Sequence, residues 1–205
     1  MSTNRSIDSR LALTTAAGAA ALALLTACGG DPMAGHTMTA STPAATASAQ
    51  PSAAFNDADV AFAQMMIPHH EQAVEMAELA ETRAADAEVK ELAAKIKAAQ
   101  DPEIATMTGW LTSWGKDAVP HGGHGGHGMP GMMTEEDMTK LQQAKGAEFD
   151  RMFAELMIVH HRGAIEMART EQSQGANPEV KQLARTIETA QQAEIEQMDK
   201  LLERL

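Results

Sequence analysis

The chain has 205 residues, a mass of 21.8 kDa and a net charge of −12, enough length for one or two domains. So acidic a surface repels nucleic acid and anionic lipid headgroups, which excludes both as expected partners, and it attracts cations only weakly. A single cysteine leaves no internal disulfide to form.

Arg5 and Arg10 precede an apolar run over residues 11–25, which leads into Leu25, Thr26, Ala27 and Cys28. That run is shorter than the ~18–20 residues a spanning helix needs, and the segment resembles a bacterial lipoprotein signal. The resemblance implies cleavage before Cys28, lipidation of its sulfur and a domain held outside the cytoplasm, periplasmic or at the cell surface. Removing residues 1–27 takes away two Arg and one Asp and leaves a charge of about −13. With Cys28 consumed, any soft-metal site must use methionine or histidine.

Residues 28–54 are rich in Ala, Ser, Thr, Gly and Pro and read as a flexible tether, in which Met33, His36 and Met38 are incidental. Asn56 then marks a helix N-cap, with Asp57 and Asp59 in the first turn complementing exposed backbone N–H groups. This first helix is predicted to reach about residue 84, with a kink where Pro68 removes a hydrogen bond. A second covers about residues 87–114, its apolar face supplied by Val89, Leu92, Ile96, Ile104, Met107 and Leu111.

Residues 115–133 carry Gly and Pro at a density that opposes helix and strand and predicts a linker with little buried surface. His121, His124 and His127 recur at every third position, followed by Met129, Met132 and Met133. A linker requires neither residue type, so the segment is predicted to capture metal. Thr134 and Asp137 can open a short helix, and Gly146 can interrupt it. A third long helix reaches about residue 174, Gly175, Asn177 and Pro178 make a turn, and a last helix covers about residues 179–205.

The organising feature is a duplication. Residues 59–77 recur as 150–168 at an offset of 91, and the offset holds without a gap from Asp59/Asp150 to Leu111/Leu202. Phe62/Phe153, Met66/Met157, His69/His160, His70/His161, Ala73/Ala164 and Met76/Met167 are matched pairs. At 100° per residue they fall within an arc of about 120°, so each copy concentrates Phe, Met and two His on one helical face. Glu75 and Glu166 recur as well but point away from that face, as surface or interhelical contacts.

Aromatic content of 3%, the absence of Tyr and the lack of apolar/polar alternation argue against strands. Two duplicated helical hairpins close most simply into an all-α four-helix bundle with approximate two-fold symmetry, spanning residues 55–205. Within such a bundle, Met66, His69 and His70 form one candidate ligand group and Met157, His160 and His161 the other. Neutral thioether and imidazole donors favour Cu(I), with Cu(II), Ni(II) or Zn(II) served by imidazole alone. Methionine also fills cores, but burying four imidazoles demands partners for up to eight ring nitrogens.

Enzymatic alternatives find little support. The carboxylate di-iron pattern needs Glu-x-x-His, which is absent, and neither an activated Ser nor a phosphate-binding glycine loop emerges. No catalytic constellation is predicted.

Met66-Ile67-Pro68-His69-His70, Met157-Ile158-Val159-His160-His161 and the following Ala-x-Glu-Met-Ala resemble the family catalogued as domain of unknown function 305, over about residues 55–205. The resemblance implies a ferritin-like four-helix bundle, and some members are exported copper-binding proteins implicated in copper resistance. Carried onto this chain, it makes Met66, His69, His70, Met76, Met157, His160, His161 and Met167 the candidate ligands. The expected function is copper capture, sequestration or chaperoning by a lipid-anchored protein, with a metal-exchange protein as a further partner. The alternatives are a metal-dependent oxidoreductase and a structural bundle with incidental histidines.

Overall fold

The computed structural model describes residues 54–118 and 129–205. Cys28, His121, His124 and His127, and with them the lipidation and most of the linker readings, lie outside the described residues.

Local side-chain chemistry sets where the helices begin. Asn56 and Asp59 form a capping box at the start of α1 (Asp57–Arg83), and Thr134 with Asp137 does the same for α3 (Glu135–Gln143). Asp86 caps α2 (Ala87–Ser113), and Asn177 followed by Pro178 opens α5 (Pro178–Leu202). α4 (Ala147–Gln174) has no side-chain cap; it starts at Gly146, whose φ of 65° lies in the region that glycine alone enters without strain. α1 continues through Pro68 and α2 through Pro102, each as a single helix. Among the described residues there is no strand, and no helix is long and apolar enough to cross a membrane.

α1 packs against α2 and α4 against α5, and the two hairpins meet chiefly through α1 and α4. Asp59 and Asp150 fix how they meet. Asp150, in the first turn of α4, accepts from the backbone N–H groups of Ala85 and Asp86 between α1 and α2. Asp59, in the first turn of α1, accepts from Ala176 and Asn177 between α4 and α5. Each repeat therefore braces the turn of the other, and α1 and α4 run antiparallel. These two aspartates do more than complement their own helix dipoles, the role the sequence suggests for them.

The core has two apolar parts. One gathers Met76, Leu92, Ile96, Phe149, Phe153, Met157 and Met198; the other gathers Phe62, Met66, Met107, Leu111, Met167 and Ile187. Burying each such side chain contributes about 1.5–3 kcal/mol. Both parts draw on all four long helices, with the mid-helix histidines falling between them in sequence on α1 and α4.

The expectation of little buried surface does not extend to the end of the linker. Met133 is buried, Met129 and Met132 are half-buried, and Met133 joins the larger core. The Gln72 amide holds it from both sides, donating to the Met133 carbonyl at 3.0 Å and accepting its N–H at 2.7 Å.

Candidate metal centre

The four repeated histidines lie near the midpoints of α1 and α4, and none is exposed to solvent. His69 and His160 face each other across the α1–α4 interface, with ring centroids 3.7 Å apart and planes tilted by 39°. Their neighbours turn about 100° around each helix and reach the flanking helices instead. His70 Nε2 lies 2.7 Å from Glu103 Oε2 on α2, and His161 Nε2 lies 2.7 Å from Glu194 Oε2 on α5. Both members of this contact obey the offset of 91, so the duplication reproduces the pair, not only the histidine.

These partners decide which ring nitrogen carries the proton. A carboxylate or carbonyl can only accept, so His70 and His161 donate Nε2–H to glutamate, and His69 donates Nε2–H to the Pro130 carbonyl at 3.1 Å. In the neutral ring the lone pair then resides on Nδ1. The Nδ1 atoms of His69, His70 and His161, and both ring nitrogens of His160, are buried without a well-formed hydrogen bond. An unpaired buried polar atom costs about 1–3 kcal/mol, so this layer is kept at the expense of stability.

Burial, reinforced by His70 and His161, holds His69 down to about 3, with the Pro130 carbonyl opposing. Burial lowers His160 well below the ordinary histidine value, helped by His69, His161 and His70 and opposed by the His69 backbone. Both rings are therefore neutral near neutral pH and offer lone pairs with no proton to displace.

Gln100 and Gln191, also related by 91 residues, are buried on α2 and α5 one turn before Glu103 and Glu194. Both Gln100 amide atoms and the Gln191 carbonyl lack partners. Sequence reasoning missed both glutamines and both glutamates, although Gln100-x-x-Glu103 and Gln191-x-x-Glu194 recur in register. Identity of polar residues on an otherwise apolar face was the available signal.

The predicted methionines are buried but sorted differently from the sequence grouping. Met66 and Met167 share one apolar part, Met76 and Met157 the other, so each part takes one of these four methionines from each repeat. Among the described residues no three His, Cys, Asp or Glu side chains are already arranged around one metal position. A bound ion would therefore draw a further donor from a thioether or from ring rotation. Orphaned imidazole nitrogens oriented by carboxylates, with thioethers at both ends, fit a soft or borderline metal and lack the oxygen cage of a hard one.

A helical bundle with a duplicated, buried histidine layer defines the class of protein. The sequence profile described as Domain of unknown function (DUF305) matches residues 59–202, and the chain belongs to that family. A Streptomyces coelicolor protein described as a secreted DUF305 protein is 37% identical, with a TM-score of 0.67 over 71% of this chain and 92% of its own. A DUF305 fragment from Deinococcus radiodurans is 33% identical, with a TM-score of 0.67 over 73% of this chain and 98% of its own. CopM in its Cu(II)-bound form is 39% identical, with a TM-score of 0.63 over 71% of this chain and 95% of its own, and CopM also has Cu(I)-bound and silver-bound forms. No curated protein matches the chain.

Proposed function

We propose that this chain is an exported, lipid-anchored protein that captures copper through the histidine layer and sequesters it or passes it to a partner. The observation that carries the reading is the set of five buried ring nitrogens without a well-formed hydrogen bond, placed by two copies of one helix. Neutral nitrogen and sulfur donors favour Cu(I), and the similarity to CopM, which has Cu(I)- and Cu(II)-bound forms, supports copper over other soft ions. The lipoprotein-like segment ending at Cys28 and the likeness to a protein described as secreted support a place outside the cytoplasm.

The test replaces His69, His70, His160 and His161 together by Gln, in a chain whose His121, His124 and His127 are already Ser. Gln keeps polarity and approximate size, and circular dichroism first establishes that the variant is helical. Competitive Cu(I) titration should then show a large loss of affinity. A folded variant with the parent's stoichiometry and affinity would make the histidine layer structural.

A further inference from the structure

All four histidines are closed to solvent, so an ion needs a route to them. A cavity of about 350 Å³ opens between α1 and α4, lined among others by Phe62, Met65, Pro130, Met167 and Thr170. Pro130 connects it to the centre: it forms part of the cavity wall while its carbonyl accepts from His69 Nε2–H. Met65 on α1 is half-buried and Met167 on α4 is buried, and these two methionines from different repeats line the same cavity. At the position of Met65 the second repeat has Leu156, which fills space equally well but donates nothing.

The strap formed by residues 129–133 is built into the helices. Gln72 and Gly163 occupy equivalent positions in the two repeats, and both serve it. Gln72 pairs with the Met133 backbone, while a Cβ on Gly163 would stand 2.0 Å from the Pro130 carbonyl oxygen and 2.7 Å from the Gly131 Cα. Divergence at this one position thus provides a clamp on α1 and a cleft on α4.

Resting on the copper reading above, we propose that this cavity is the entry site for a soft monovalent metal ion, taken up by the thioethers of Met65 and Met167. The strap is the barrier between that site and the His69–His160 pair. Glu166 and Glu171 also line the cavity, but carboxyl oxygens suit hard ions, so a soft ion rests on the two neutral thioethers, too small a donor set to retain it against imidazoles. Withdrawal of the Pro130 carbonyl from His69 frees Nε2 and opens the way inward.

The experiment follows Cu(I) uptake by the full chain from a chromophoric Cu(I) chelate in stopped flow, all variants carrying His121, His124 and His127 as Ser. Met65→Leu, which conserves volume, is expected to slow uptake about tenfold with an unchanged end point. Gly163→Ala, which clashes with the strap without harming helix propensity, is expected to accelerate it several-fold. Gln72→Leu removes the clamp without a clash and should act in the same direction. In the apo chain, ¹⁵N shifts of His69 should show Nε2 protonated in the parent and exchanging between tautomers in Gly163→Ala. Parental uptake rates in both Met65→Leu and Gln72→Leu, with a parental His69 pattern in Gly163→Ala, would overturn the entry site while leaving the copper reading standing. Failure of the parent chain to take up Cu(I) would overturn the copper reading and the entry site with it.

Discussion

Glu171 on α4 is buried beside Asp59 on α1, and the two carboxyls are moved in opposite directions. Burial raises Asp59, but the N–H groups of Asn56, Asn177 and Ala176, with Glu171, outweigh it and hold the group below the usual carboxylate value. Glu171 is pushed up to about 8 by burial and then by Asp59, against a weak pull from Lys181. Its contribution to stability is fully present below its unfolded value of 4.5 and is lost as pH rises through about 8. His69 works in the opposite sense. Its folded value of about 3 lies below 6.5, so its contribution is present above pH 6.5 and is lost as pH falls toward 3. Between pH 6.5 and 8 the Glu171 slope acts, and its contribution to the unfolding free energy should fall by about 2 kcal/mol. Glu171→Gln keeps the shape and a donor toward Asp59, and urea titrations of it should lack that fall.

Glu103 and Glu194 accept from Nε2 of His70 and His161, which on the proposed copper reading leaves Nδ1 to the metal. Partners of this kind typically govern metal affinity by about 10–100-fold. Glu103→Gln and Glu194→Gln together should weaken Cu(I) binding within that range and leave its stoichiometry intact. The ¹⁵N shifts of His70 and His161 should at the same time show a mixture of tautomers.

What the sequence made legible was whatever repeats at helical spacing. The duplicated arc of Phe, Met and His placed four histidines on the inner faces of α1 and α4, and Asn56 and Thr134 marked helix starts from local chemistry alone. Glu103 and Glu194 escaped because they stand 33 residues from the histidines they touch, and only the packing of each hairpin fixes which turn of α2 or α5 meets which turn of α1 or α4. The strap escaped for the opposite reason. Glycine and proline at residues 128–131 are strong local signals for a break in helix, and nothing local reveals that Pro130 fits a cleft made by a glycine 33 positions later. The comparison of Gln72 with Gly163 holds that information only once the strap is seen between them.

Mutual bracing makes each hairpin depend on the other. Asp150→Ala leaves the N–H groups of Ala85 and Asp86 without their acceptor, which costs about 3 kcal/mol at partly buried donors. Asp59→Ala is expected to cost less, because Glu171 is relieved of its negative neighbour and ionises more readily. Chemical denaturation of the two variants at pH 7 checks the order, which an equal or larger loss in Asp59→Ala would overturn.

The histidine-rich segment and the strap that follows it are continuous in sequence but separable in effect. His121, His124 and His127 are proposed as added copper capacity, so replacing all three by Ser should lower the copper stoichiometry and leave the apo melting temperature unchanged. Met133 is a core residue, 9% exposed and packed with the larger apolar part. Met133→Ala should therefore destabilise the chain by about 2–3 kcal/mol, a fall in melting temperature of roughly 5–10 °C for a domain of this size. Because the Met133 backbone still pairs with Gln72, the strap stays docked in that variant and Cu(I) uptake should proceed at the parental rate. A stability loss accompanied by faster uptake would mean that the Met133 side chain, not the Gln72 clamp, is what holds the strap in place.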